Sequence, residues 1–171
     1  ELERPAPFVA ETNKVVTGPD QTIVDLGDGY LTEQLTTEAI SFIDRNKDRP
    51  FFLYLAHAAP HTPLQTTTTY YDRFPEIGDK AQRVYAGMVS ALDDSVGHVL
   101  DEVDALGLTE NTIVIFLSDN GCAAYVDGIC SAEPISGGKL TYLEGGIRVP
   151  FLMRWPAKLP AGTGYEAPVS S

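Results

Sequence analysis

Residues 111–121, Asn-Thr-Ile-Val-Ile-Phe-Leu-Ser-Asp-Asn-Gly, set the terms for the rest of the chain. Thr112 to Leu117 is an unbroken apolar, β-branched and aromatic run, and it stops abruptly at Ser118-Asp119-Asn120-Gly121. A run without polar alternation predicts a strand over 112–118 covered on both faces, as in the parallel sheet of an α/β protein. In such sheets ligands collect beyond the carboxyl ends of the strands. The sequence thus carries a carboxylate, Asp119, and an amide oxygen, Asn120, to that edge, and Gly121 allows a sharp turn. The same four residues also suit an ordinary turn after a strand, because Asp, Asn and Gly are turn formers.

The flanking periodicities place this strand in an alternating pattern. Leu31, Leu35, Ala39, Ile40 and Ile43 recur at three to four residue intervals and predict a helix over 31–47. Thr32 is the expected N-cap, Glu33 supplies first-turn acid, and Pro50 ends the helix. Phe51 to Ala56 predicts a second fully apolar strand. Val84, Met88, Leu92, Val96, Val99, Leu100, Val103 and Leu106 trace one face of a long helix from Lys80, closed near Gly107. Asp93, Asp94, Asp101, Glu102 and Asp104 read as its solvated side, with His98 on the surface. Helix, strand, helix, strand implies right-handed crossovers and an α/β fold with a mostly parallel sheet flanked by helices. Residues 1–29 read mostly as loop, with at most one brief strand around Thr22-Ile23-Val24.

The 171 residues suffice for one ordinary domain and are short for two. Twelve Lys and Arg against twenty-four Asp and Glu leave a formal charge of -12, which argues against a nucleic-acid surface and against anionic membranes. No apolar stretch approaches bilayer-spanning length, and no signal peptide opens the chain. The chain starts at Glu1, as expected of a processed product or a piece of something longer. Cys122 and Cys130 lie eight apart without a C-x-x-C pattern; that spacing admits a disulfide in an oxidising compartment and equally admits two thiols.

Chemistry-bearing residues gather on three loops. After Phe51–Ala56 the chain reads His57-Ala58-Ala59-Pro60-His61-Thr62-Pro63, so two prolines restrict the backbone around His61. His61 suits chemistry and a local backbone bond equally well, whereas His57 reads as structural. The second loop brings Asp119 and Asn120. The third, Ser136 to Pro150, sets four glycines around Lys139 and Arg148 and reads as flexible and cationic, followed by a strand at Phe151–Trp155. Hard oxygen ligands suit Ca²⁺ or Mg²⁺ better than a soft metal. A lysine and a histidine beside such a metal make a site for a tetrahedral oxyanion.

Three stretches, P-F-F-L-Y-L-A-H-A-A-P-H-T-P-L-Q, L-S-D-N-G and G-G-K-L-T-Y-L-E-G-G-I-R-V-P, resemble successive motifs of the arylsulfatase-type sulfatases, which share the alkaline-phosphatase-like fold. The helices around Y-L-T-E-Q-L-T-T-E-A-I and Y-A-G-M-V-S-A-L-D-D-S-V-G-H-V-L are also similar, so the resemblance runs from Tyr30 to Pro156. It implies that Asp119 and Asn120 bind a divalent cation, calcium before magnesium. It implies that Lys139 contacts sulfate oxygens and that His61 sits at the ester oxygen as a proton donor. Glu144 and Arg148 are read as loop-holding residues. Such sulfatases attack sulfur with a formylglycine made from Cys or Ser in C/S-x-P/A-x-R; Cys122 leads C-A-A-Y-V and Cys130 leads C-S-A-E-P, and neither fits.

The resemblance therefore implies the central part of a catalytic domain: 1–29 mostly loop, 30–156 the motif-bearing core, 157–171 a tail. The nucleophile segment and a smaller C-terminal subdomain would lie outside it, and the isolated chain would be inactive. The expected partner is a sulfate-ester substrate, and a periplasmic or extracellular location follows from the resemblance alone. A phosphate or phosphonate ester hydrolase of the same superfamily is a second reading, disfavoured because three histidines without a D-x-x-x-H set do not make a two-zinc site. A third is a non-catalytic fragment that binds an anion or metal, or self-associates through an exposed sheet edge.

Overall fold

The computed structural model describes residues 2–3, 14–17, 22–25, 29–126 and 128–169, with side chains from residue 29 onward. These fall into two compact units, Glu1–Glu102 and Val103–Ser171, each taken by itself below.

In the first unit, β1 (Leu2–Glu3) will pair with a later strand, and β2 (Lys14–Thr17) and β3 (Thr22–Asp25) form an antiparallel hairpin in the register Lys14 with Asp25 and Thr17 with Thr22. The region expected to be mostly loop, with at most one brief strand, thus contains three strands among its described residues. Val15 lies opposite Val24 and Val16 opposite Ile23 in the ladder.

Helix α1 spans Leu31–Asn46, close to the expected 31–47. Its N-cap is Tyr30, not Thr32, and Tyr30 makes no side-chain cap bond. The start is fixed by burial instead: Tyr30 is buried against Tyr70 at 5.9 Å between ring centroids, and its hydroxyl donates to the Gln65 carbonyl at 3.1 Å. The buried stripe of α1 is Thr32, Thr36, Ala39, Ile43 and Asn46, while Leu31, Leu35 and Ile40 are half-buried. Threonines displace leucines because the Thr36 hydroxyl returns its proton to the Thr32 carbonyl at 2.7 Å, which satisfies it inside the helix.

Phe51–Ala56 has no ladder partner among the described residues, where a strand covered on both faces was expected. Phe51, Leu53 and Leu55 are half-buried, whereas Phe52 is 86% and Tyr54 79% exposed, a period of two with one covered face. Phe51 meets Phe42 of α1 edge-on at 5.8 Å. Next come β4 (Thr66–Thr67), paired antiparallel to β1, and the short helix α2 (Thr68–Tyr71).

Helix α3 spans Lys80–Ala105 and begins where the Asp79 side chain accepts the Gln82 N–H at 2.8 Å. Val84, Met88 and Val103 of the expected face are buried, joined by Ala91 and Ser95. Small residues let α3 approach closely: a Cβ on Gly87 would lie 2.9 Å from the hydroxyl of fully buried Thr66. Gly107, at φ +69, ends the helix as expected, with Leu108 N–H on the Val103 carbonyl at 3.0 Å.

In the second unit, a 3₁₀ turn (Thr109–Asn111) leads into β5 (Val114–Leu117). After the short helix α4 (Glu144–Ile147), β6 (Phe151–Arg154) pairs with β5 antiparallel, Val114 opposite Arg154 and Leu117 opposite Phe151. Every ladder among the described residues is antiparallel, so the parallel strands expected from alternation are not among them. Nor is β5 covered on both faces: Ile115, Phe116 and Leu117 are exposed, as is Leu152 at 61%. A continuous apolar run marks a strand meant for burial but does not name its partner or the direction of pairing. Arg154 ties the ribbon to Asp104 at 2.9 Å, and Trp155 donates to the Glu110 carbonyl at 3.2 Å. Among the described residues no helix is long and apolar enough to cross a membrane.

Candidate functional site

In the second unit two of the three candidate loops are joined through their backbones. Asp119 and Asn120 follow β5 directly, and the Ser118 N–H on the Pro150 carbonyl at 3.2 Å continues the ribbon one residue past the ladder. The Ser118 hydroxyl donates to the Asn120 carbonyl at 2.9 Å and tightens the turn, while the Asn120 amide donates to Asp119 Oδ2. The Gly121 N–H donates to the Gly146 carbonyl at 3.0 Å, and the Lys139 N–H to the Cys122 carbonyl at 2.7 Å. The loop of the acid–amide pair and the loop of the lysine are therefore stitched at two points.

The glycines explain the closeness. A Cβ on Gly121 would stand 1.8 Å from the Gly145 carbonyl oxygen, and one on Gly138 would stand 2.5 Å from that of Cys122. The 136–150 segment, expected to be flexible, is instead a packed turn in which Gly138, Gly145 and Gly146 are buried. Thr141 donates its hydroxyl to the Gly138 carbonyl at 2.7 Å, and the Gly145 N–H reaches the Ser136 carbonyl at 2.8 Å. Glycine here serves close backbone approach rather than mobility. Arg148 and Glu144 pair at 3.6 Å in the open, in keeping with loop-holding residues but contributing little.

Sequence reading left Cys122 and Cys130 open between disulfide and thiols; the structure joins them in a disulfide. It also missed the Cys122 carbonyl as the point where the two loops meet, which also accepts the Ala124 N–H at 2.8 Å. The signal available was one cysteine directly after Asp-Asn-Gly with a second eight residues on.

His61 belongs to the first unit. It is exposed on a turn closed by its own N–H on the Ala58 carbonyl at 2.9 Å. Its Nδ1 lies 2.7 Å from the Thr62 carbonyl, which can only accept, so Nδ1 carries a proton.

His57 anchors the base of the same loop, as the structural reading expected. The direction of each proton in its network follows by elimination. The Thr36 hydroxyl already donates to the Thr32 carbonyl, so across the 2.5 Å contact the Ser95 hydroxyl is the donor and Thr36 accepts. Ser95, its proton spent, must accept from His57 Nε2–H at 3.0 Å. That leaves His57 Nδ1 as a buried acceptor with no hydrogen-bond partner, and burial lowers the imidazole pKa. Three side chains from α1, the His57 loop and α3 thus form one directed chain, with a neutral histidine at its head.

Asp119 and Asn120 offer hard oxygen donors, the kind that Ca²⁺ and Mg²⁺ take. They fit such an ion in kind but not in number, since calcium takes about six to eight oxygens. Among the described residues no three or more His, Cys, Asp or Glu cluster as a metal site.

Comparison with known proteins matches residues 5–171 to the Sulfatase family profile. The chain is 37% identical over 149 residues to human steryl-sulfatase, covering 82% of this chain and 24% of that protein. It is 39% identical over 140 residues to the N-acetylgalactosamine-6-sulfatase of Canis lupus familiaris, covering 80% and 26%. Among solved structures, Ps i-CgsB in complex with k-i-k-neocarrahexaose superimposes with a TM-score of 0.74 at 40% identity, covering 82% of this chain and 32% of that one. The chain spans about a quarter of the length of the curated relatives it matches. These neighbours carry the expected α/β, alkaline-phosphatase-like fold, of which this chain is an incomplete part.

Proposed function

We propose, from the premise that this chain belongs to the sulfatase family, that it supplies part of the metal and sulfate site of a sulfuric-ester hydrolase. The observation that carries this reading is the backbone stitch between the Asp119–Asn120 loop and the Lys139 loop, with Lys139 N–H on the Cys122 carbonyl at 2.7 Å. It ties two hard oxygen donors and one ammonium to a common frame, as binding a divalent cation and a tetrahedral oxyanion together demands.

In this reading Asp119 and Asn120 hold the cation, calcium before magnesium, with the remaining donors supplied from beyond these two. Such a cation, when bound, withdraws charge from the sulfate oxygens. The Lys139 ammonium neutralises non-bridging oxygens as the S–O bond lengthens. His61, its Nδ1–H on the Thr62 carbonyl, donates from Nε2 to the departing ester oxygen, help worth roughly 10²–10⁴ in rate. No C/S-x-P/A-x-R stretch occurs in the 171 residues, so the chain is assigned anion-holding groups and not the attacking formylglycine. The segment boundaries at 29 and 156 are part of the same proposal. The relatives' names include a steryl and an amino-sugar ester, and the carrier of the sulfate is left at sulfate ester. Exposed apolar residues on β5 and β6 also favour self-association of the isolated chain.

The test is titration of sodium sulfate, with and without calcium chloride, into the ¹⁵N-labelled chain. Amide shifts at 119–121 and 138–141 that disappear in Lys139→Ala are expected; no response at either loop overturns the assignment. In a second assay, a chromogenic aryl sulfate with calcium should show no turnover by this chain alone. Substantial turnover would place the attacking group within these residues.

A further inference from the structure

The two stitched loops meet at Cys122, a residue that the reaction reading does not use. Cys122 follows Gly121 directly and accepts, through one carbonyl, the N–H of Lys139 at 2.7 Å and of Ala124 at 2.8 Å. Its side chain is bonded to Cys130, eight residues on. The same carbonyl is the atom that a Cβ on Gly138 would meet at 2.5 Å. The intervening chain is itself turned, with Val126 N–H on the Ala123 carbonyl at 2.9 Å and Ile129 N–H on that of Val126 at 3.3 Å. A bond fixing both ends of this short segment limits the orientations open to the Cys122 peptide.

We infer that the Cys122–Cys130 disulfide is a positioning element for Lys139. It acts through the Cys122 carbonyl, which fixes where the lysine's backbone begins relative to Asp119 and Asn120. The inference deepens the sulfate-site reading and rests on it for its functional meaning. Its chemistry is that of disulfide exchange: a dithiol reductant gives up two electrons and two protons, becomes a cyclic disulfide, and leaves two cysteine thiols on the protein. The site should accordingly be tight in the oxidised chain and loose in the reduced one.

The experiment is amide hydrogen exchange on the full chain, oxidised and after reduction with dithiothreitol, with Cys122→Ser/Cys130→Ser as a genetic counterpart. On reduction, exchange at the Lys139 and Gly121 amides should accelerate about tenfold or more, while the β5–β6 ladder and α3 amides keep their protection. The sulfate-induced shift at Lys139 should weaken in parallel. Unchanged exchange at Lys139 overturns the inference. So does equal loss of protection across the β5–β6 ladder, which would make the bridge a general staple of the unit. The reading beneath it fails separately: if Lys139→Ala leaves the sulfate response of the oxidised chain intact, Lys139 does not hold the anion, whatever reduction does to its amide.

Discussion

Ser95→Ala is the sharpest test of the directed network. Ser95 is 3% exposed, accepts from His57 Nε2–H at 3.0 Å and donates to Thr36 at 2.5 Å. The substitution deletes two hydrogen bonds, each worth about 1 kcal/mol net, and leaves a buried imidazole N–H without an acceptor, which costs about 1–3 kcal/mol. Tautomerisation gives no escape, because Nδ1 is also buried without a partner. Alanine recovers about 0.5 kcal/mol of helix propensity. The net loss is therefore about 2.5–4.5 kcal/mol, and with a urea slope near 2 kcal/mol/M the midpoint should fall by about 1.2–2.2 M. Thr36→Val removes the acceptor for Ser95 and the return bond to Thr32, two bonds of about 1 kcal/mol each, so it should cost about 2 kcal/mol. The double variant should fall short of the sum, since both share one bond. Urea unfolding followed by far-UV circular dichroism at pH 7.5 reads all three. If Ser95→Ala shifts the midpoint by less than about 0.3 M, or if the two substitutions add fully, the proton directions assigned here are wrong.

The same histidine sets a pH dependence: burial lowers its pKa in the folded state, so below the ordinary value near 6.5 the unfolded chain binds the extra proton. Its stabilising contribution should be complete above about pH 6.5 and decline as pH falls below it, and His57→Gln should flatten the difference between pH 7.5 and pH 5.5 urea midpoints. Asp94, lowered by its hydrogen bond from Arg73, acts in a separate window: its contribution should persist until pH drops below the ordinary carboxylate range, and Arg73→Ala should remove that acid dependence. Two glycines of α3 should respond with opposite signs. Gly87→Ala drives a methyl into buried Thr66 and should destabilise by about 1–3 kcal/mol, relieved in part by Thr66→Ser. Gly97→Ala meets nothing within 4 Å and should stabilise by about 0.5–1 kcal/mol in the same unfolding assay.

The two long helices were legible in the sequence to within a residue or two because their signal is local: α1 and α3 end where the 3.6-residue pattern and Gly107 say they should, whereas the four-residue helices α2 and α4 lie in stretches that read as loop. The buried face of α1 was not, because a threonine reads as polar until its hydroxyl is seen to return to the preceding turn. Strand identity was legible at 114–117 and strand pairing was not. Hydrophobicity records that Ile115 and Phe116 are built for burial, but the partner is a long-range choice that no window around them contains. Asp119, Asn120, Lys139 and His61 were singled out from residue type and motif, while the backbone bonds that join the 119–121 turn to the Lys139 loop were not legible.

Glycine shows where the misreading had consequences. Gly138, Gly145 and Gly146 read as a flexible cationic loop, yet the structure uses the missing β-carbons to bring one backbone against another. Flexibility and close approach call for the same residue, and only the carbonyl 1.8 Å from a hypothetical Gly121 Cβ separates them. The difference bears on mechanism. A mobile lysine loop would order on the anion and lose affinity to that ordering, whereas a loop already bonded to the acid–amide turn presents its ammonium from a fixed base. On the sulfate-site proposal, preorganisation of this kind places the energetic weight of the site on backbone contacts around Gly121, Cys122 and Gly138. On that proposal a substitution there, which removes no charged or hydrogen-bonding side chain, should weaken anion binding as surely as removal of the lysine itself.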